Sequence, residues 1–172
     1  MLKIDIHTHI LPRDIPNWKE KFGYGGFISL DHYKPCCARM LRDDGVAFRD
    51  VEENCWSAAR RIEECNASGV TVQVLSTVPV MFSYWSKAAD CAVIAAFLND
   101  HIAEIVDEFP LRFVGLGMVP MQDTPLAVKE LERCKQVGLA GVQIGSNVNQ
   151  LNLGEPQFFD FFKACEELGM AV

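Results

Sequence analysis

Asp5, His7 and His9, in the stretch DIHTHI, are each separated by one residue. In a β-strand that spacing puts all three on one face, because successive side chains alternate sides. Two imidazoles so placed can converge on one ion, and imidazole nitrogen suits zinc and other borderline divalent metals. His7 and His9 are therefore candidate metal ligands, and Asp5, one pleat deeper, is the candidate acceptor that orients a ligand ring from behind. Leu2, Ile4, Ile6, Thr8 and Ile10 fall on the opposite, oily face. Burying three ionisable groups unpaired costs roughly several kcal/mol, and a bound cation removes that cost. Spacing alone does not choose among zinc, cobalt and manganese. The other two histidines read differently, His32 as a surface residue and His101 as a polar position on a helix.

The elements that must hold this strand are legible as a β/α rhythm. After it comes a polar, aromatic-rich excursion over 11–56, with FGYGG at 22–26, a turn signal RDDG at 42–45, and alternation in FISLDHY (27–33) and VAFRDVE (46–52) that predicts short antiparallel strands. A helix over about 57–68 then ends at Gly69 and leads to a strand over 70–77. The next helix is expected to start at Ser86 as N-cap and close at Pro110, followed by a strand over 112–120. A helix opened by Asp-Thr-Pro at 123–125 and capped by Gly138 precedes a strand over 141–146, and a last helix over 155–168 stops at Gly169. The final residues, MAV at 170–172, read as the start of a fifth strand. Apolar strands separated by helices imply a parallel sheet covered by helices, hence an α/β fold. Four such units are the first half of a (β/α)8 barrel, which runs to about 250 residues. An open doubly wound sheet is the alternative, and no Gly-rich phosphate loop supports a nucleotide-binding version of it.

With 172 residues, of which 49% are hydrophobic, the chain can bury a real core in one domain. Its net charge of −7 argues against nucleic acid or an anionic membrane as the main partner. An acidic substrate then needs a local cation. Seven cysteines, an odd number with no Cys-x-x-Cys pair, are expected to be reduced thiols. No apolar run reaches membrane-spanning length and no signal-peptide plan opens the chain, so the expected location is the cytoplasm.

The Asp-x-His-x-His strand resembles that of the amidohydrolase superfamily. Further segments resemble its metal-dependent decarboxylase branch: FGYGG (22–26), FR with ENCW (48–49 and 53–56), GVTVQVLSTVPVMFSYW (69–85), RFVGLGMVPMQ (112–122), AVKELERC (127–134) and GVQIGSNVN (141–149). The resemblance implies a (β/α)8 barrel of amidohydrolase type, of which residues 1–172 are the N-terminal half, with 11–56 as a small β-rich insertion. It further implies a zinc-dependent, oxygen-independent, non-hydrolytic decarboxylase of tryptophan (kynurenine-route) or nitroaromatic catabolism, acting on a small dicarboxylate semialdehyde as a homodimer. His7 and His9 match two of the family's metal ligands, and Arg49 matches an arginine that holds a substrate carboxylate. A guanidinium fork suits that task. Met81, Phe82, Tyr84 and Trp85 are expected to pack in the core or an interface rather than touch substrate. The family's third metal histidine, acid/base histidine and metal aspartate all fall beyond Val172, so the isolated chain is expected to be inactive, with exposed edges on its first and fourth barrel strands. A related hydroxybenzoate-type decarboxylase, a metal-dependent lactone hydrolase, and a non-catalytic isoform that pairs with full-length subunits are the alternatives.

Overall fold

Helix and strand follow the apolar periodicity closely where caps are strong. The structure, a computed structural model, describes residues 1–42 and 44–172. In chain order the elements are β1 (Ile4–Ile10), α1 (Trp18–Phe22), β2 (Ile28–Lys34), β3 (Cys37–Arg42), β4 (Ala47–Glu52), α2 (Ala58–Ser68), β5 (Val72–Thr77) and α3 (Ala88–Glu108). Then come β6 (Phe113–Gly117), α4 (Thr124–Gln136), β7 (Gly141–Val142), β8 (Asn147–Val148), β9 (Leu151–Asn152) and α5 (Phe159–Leu168). Strands β1, β5, β6 and β7 form one sheet in that order, all pairs parallel. Ala171 adds a parallel bridge to Gly141. The edge of the fourth barrel strand is thus partly occupied by the expected start of a fifth.

Capping sets the helix boundaries. Ser57 Oγ accepts from Arg60 N at the head of α2, and Asp123 accepts from Leu126 N at the head of α4. Gly69 and Gly169 close α2 and α5 in the left-handed conformation, at φ 71° and 62°. Ser86 is a correction. Its hydroxyl donates to Ser83 O at 2.7 Å, Lys87 takes the cap position, and α3 begins at Ala88 with no side-chain cap bond. Helix α3 buries Cys91, Ile94, Ala95, Leu98, Ile102 and Ile105, the spacing of one continuous face. That face lies so close to the sheet that a Cβ on Gly115 would sit 2.8 Å from Ile102 Cγ2.

Two barrel strands are shorter than expected. β6 stops at Gly117 because the next residue, Met118, pairs its backbone with the Asn99 side chain of α3. Asn99 Oδ1 accepts from Met118 N at 2.7 Å and its Nδ2 donates to Met118 O at 2.8 Å. The same amide donates to Glu130 Oε1 at 2.6 Å, and Arg133 brackets Glu130 at 2.8 Å. After β7 the chain leaves the sheet for the hairpin β8–β9, turned by Asn149 and Gln150 at φ 48° and 70°.

The excursion contains three antiparallel strands, in the order β2-β3-β4. The middle one, Cys37–Arg42, was not expected from the sequence. Asp43 of the RDDG turn lies outside the described residues. An aromatic cluster and a hydrogen bond from Tyr24 Oη to Asp90 at 2.8 Å fasten the excursion to α3. Among the described residues no helix is long and apolar enough to cross a membrane.

Candidate metal centre

The strand that carries the histidines does not alternate as its sequence implies. Asp5 pairs with Gln73 and Thr8 with Leu75, so Ile6 and His7 both stand opposite Val74. This one-residue bulge reverses the faces of the residues before it. Asp5 turns toward α2, where it accepts from Gln73 Nε2 at 3.2 Å and lines a crevice with Arg61, Glu64 and Cys65. Its other oxygen lies 3.4 Å from the His7 backbone N–H. Asp5 therefore supports the bulge and orients no imidazole, which corrects the role expected for it. The oily face is corrected too. Thr8 and Ile10 are buried, whereas Ile4 and Ile6 are 50% and 76% exposed.

His7 and His9 remain together at the C-terminal end of β1. Their ring centroids are 5.0 Å apart, with planes at 76°. His7 is exposed and His9 is half-buried. Burial lowers the His9 pKa from its ordinary value and the neighbouring His7 lowers it further, while a hydrogen bond with the Thr77 backbone works in the other direction. The balance favours neutral imidazole, the form that ligates metal. His9 Nδ1 lies 3.0 Å from Ser76 Oγ, on the paired residue of β5. Nothing in the sequence marks Ser76, since a serine inside an apolar run carries no signal of its partner.

The backbone just beyond His9 is held at alternate carbonyls by three separate elements. Arg61 of α2 donates to His9 O at 2.6 Å and to Asn54 O at 2.7 Å, and also to Gln73 Oε1 at 3.3 Å. His101 of α3 donates to Leu11 O at 3.1 Å, and His32 of β2 donates to Arg13 O at 2.8 Å. His101 is thus the polar helix position its place in the sequence predicts, and His32 alone departs from expectation. His32 is half-buried with its ring edge-on to Trp56 at 4.8 Å, and burial lowers the His101 pKa. Burial also pulls the Arg61 guanidinium below its ordinary range, because its partners are carbonyls rather than an ion pair. Arg61→Met is expected to leave the two backbone carbonyls short of a donor and to cost about 2–3 kcal/mol. A urea-unfolding midpoint measures this, and an unchanged midpoint would mean that water replaces the guanidinium.

Arg49 stands on β4, opposite Met40 of β3, with its guanidinium 6.0 Å from the Phe48 ring centre. Among the described residues it has no ion-pair partner, and no hydrogen bond joins it to His7 or His9. Beyond the ends of β5 and β7 lies a cleft of about 710 Å³ lined by Phe82, Tyr84, Trp85, Gln143, Gly145 and Asn149. Met81, Phe82 and Tyr84 are buried as expected, and burial pushes the Tyr84 hydroxyl pKa well up. Trp85 is half exposed and lies over Gly26, where a Cβ would sit 2.5 Å from the indole.

Two imidazoles at this separation fit two positions of a divalent-metal site. Among the described residues no third metal-binding side chain joins them. The amidohydrolase family model matches residues 4–172. The chain belongs to the amidohydrolase family. It is 56% identical over 172 residues to a Dictyostelium discoideum protein named 2-amino-3-carboxymuconate-6-semialdehyde decarboxylase, covering 99% of this chain and 48% of that one. It is 40% identical to the Caenorhabditis elegans protein of the same name, covering 99% and 47%. The chain thus spans about half the length of the curated relatives it matches. Among solved structures, 5-carboxyvanillate decarboxylase from Sphingomonas paucimobilis superposes with a TM-score of 0.65 at 32% identity, covering 69% of this chain and 36% of that one. A Polaromonas dihydroxybenzoic acid decarboxylase with bound manganese superposes at 0.70 and 21% identity, covering 98% and 47%, a likeness of fold. The four parallel strands β1, β5, β6 and β7 follow one another in the sheet in chain order, the arrangement of an amidohydrolase barrel wall, and His7 lies exposed on β1.

Proposed function

We propose that this chain carries the N-terminal part of a zinc-dependent carboxy-lyase. The reaction is decarboxylation of 2-amino-3-carboxymuconate 6-semialdehyde to 2-aminomuconate 6-semialdehyde and carbon dioxide, without hydrolysis, in tryptophan (kynurenine) or nitroaromatic catabolism. The observation that carries this reading is the combination of the His7–His9 pair with 56% identity, across 99% of the chain, to a protein of that name. His7 and His9 hold two positions on one metal ion, and the remaining ligands come from the half of the barrel outside residues 1–172. A divalent metal there supplies Lewis acidity, polarising the substrate or lowering the pKa of bound water. Cobalt or manganese would fill the same role.

This chain's own residues bind and orient. Arg49, exposed on β4 and without an ion pair of its own among the described residues, offers a bidentate donor to a substrate carboxylate. In a protein of net charge −7 that local cation is what makes a dicarboxylate acceptable. The acid/base histidine lies outside residues 1–172, so these residues alone are expected to be inert. The working form is a cytoplasmic homodimer. A hydroxybenzoate-type decarboxylase is the second reading, favoured by the 32% identity to the carboxyvanillate enzyme. A lactone hydrolase and a non-catalytic isoform paired with full-length subunits have no specific observation behind them.

The test is turnover by the longest form of the protein on the muconate semialdehyde and on dihydroxybenzoates, before chelation, after it, and after zinc is restored. The reading expects loss of the semialdehyde absorbance, abolished by chelation and recovered with zinc. Turnover of dihydroxybenzoate alone would select the second reading. Turnover unaffected by complete metal removal would overturn both.

A further inference from the structure

We propose that Ser76 is a positioning residue that fixes His9 in the tautomer whose Nε2 is bare and ready for metal. The inference rests on the reading of His9 as a ligand and adds the group that presets it. Ser76 is 5% exposed, so its hydroxyl is shielded from water and its partners are those the fold provides. A hydroxyl has one proton to give. Ser76 Oγ lies 3.0 Å from Thr8 O and 3.0 Å from His9 Nδ1. The Thr8 carbonyl can only accept, so the hydroxyl proton goes to it, and Oγ meets Nδ1 as an acceptor. The imidazole must then donate from Nδ1–H. In the neutral ring the lone pair is left on Nε2.

The register makes this arrangement possible. After the bulge His9 stands beside Ser76 in the parallel ladder, and Thr8 Oγ1 donates to Val74 O at 2.8 Å on the same strand. Without the bulge the residues that follow would move by one position along β5, and Ser76 would no longer stand beside His9. With Arg61 on the His9 carbonyl and Ser76 on Nδ1, the residue is held both at its backbone and at its ring. Outer partners of this kind typically change metal affinity or activity by about 10–100-fold.

The test is nitrogen NMR on the longest form of the protein, labelled in its histidine rings, freed of metal, and held at a pH where the rings are neutral. His9 is expected to show a protonated Nδ1 and a bare Nε2. Ser76→Ala should mix the two tautomers and weaken zinc binding by about 10–100-fold in a chelator competition. Ser76→Thr, which keeps the hydroxyl, should restore both. A protonated Nε2 in the unsubstituted protein, or a tautomer unchanged in Ser76→Ala, would overturn the assignment. Zinc that leaves both His7 and His9 resonances unmoved would instead overturn the metal reading beneath it, so the two failures are distinct.

Discussion

His9→Ala in the full-barrel form of this amidohydrolase is expected to lower decarboxylase turnover by about 100-fold or more. Outer partners of a ligating histidine are themselves worth about 10–100-fold, and a ligand is worth at least as much as its support. Bound zinc should fall in parallel, read by elemental analysis after gel filtration. His7→Ala should behave alike, and the double variant should be little worse than either single one, because ligands of one ion act as a unit. The loss should not come from unfolding. His7 is exposed, and the half-buried His9 gives up only its ring contacts to Ser76 and the Thr77 backbone, so stability should change by no more than about 1–2 kcal/mol. A His9→Ala protein that kept one zinc per subunit and most of its turnover would show that the pair is not the metal site.

Asn99→Leu should give the largest loss of stability. Asn99 is fully buried, and its amide substitutes for the strand partner that the Met118 backbone lacks, donating to the carbonyl and accepting from the N–H. Leucine has similar size and satisfies neither. The change strands two backbone groups and removes a donor from Glu130, which is itself buried. Expected destabilisation is about 3–5 kcal/mol, the range reached when a buried hydrogen-bond network is broken. A urea titration should show a lower midpoint at an unchanged slope. A loss below about 1 kcal/mol would mean that the Met118 backbone finds other partners. The carboxylate of Glu130 cannot replace the lost donor to Met118 O, because it can only accept. Arg133 already occupies it from the other side, at 2.8 Å.

These two sites bracket what the sequence makes legible. The β/α rhythm is plain because local rules set it: Ser57 and Asp123 as caps, Gly69 and Gly169 as stops, and an α3 face running from Cys91 to Ile105. The histidine pair is plain for the same reason, since two residues of spacing hold within any strand. Asp5 misleads because its face depends on a bulge at Ile6 and His7, set by the register against β5 some seventy residues on. No local pattern records that offset. Ser76 and Asn99 escape notice for a related reason. Each is an ordinary polar residue in an apolar element, and its importance lies wholly in a partner distant in sequence. His32 and His101 fall in the same class, tying the Arg13 and Leu11 carbonyls just past the end of β1. Strand β3 is hidden by the two-residue turn Pro35-Cys36, which lacks the glycine or asparagine that marks most hairpin turns.

The most direct test of the central claim is anomalous diffraction at the zinc edge from crystals of the full-barrel protein. A single strong peak is expected about 2.0–2.1 Å from one nitrogen of His7 and from Nε2 of His9. A zinc peak coordinated without either histidine, or no peak in an enzyme that still turns over, would contradict that claim.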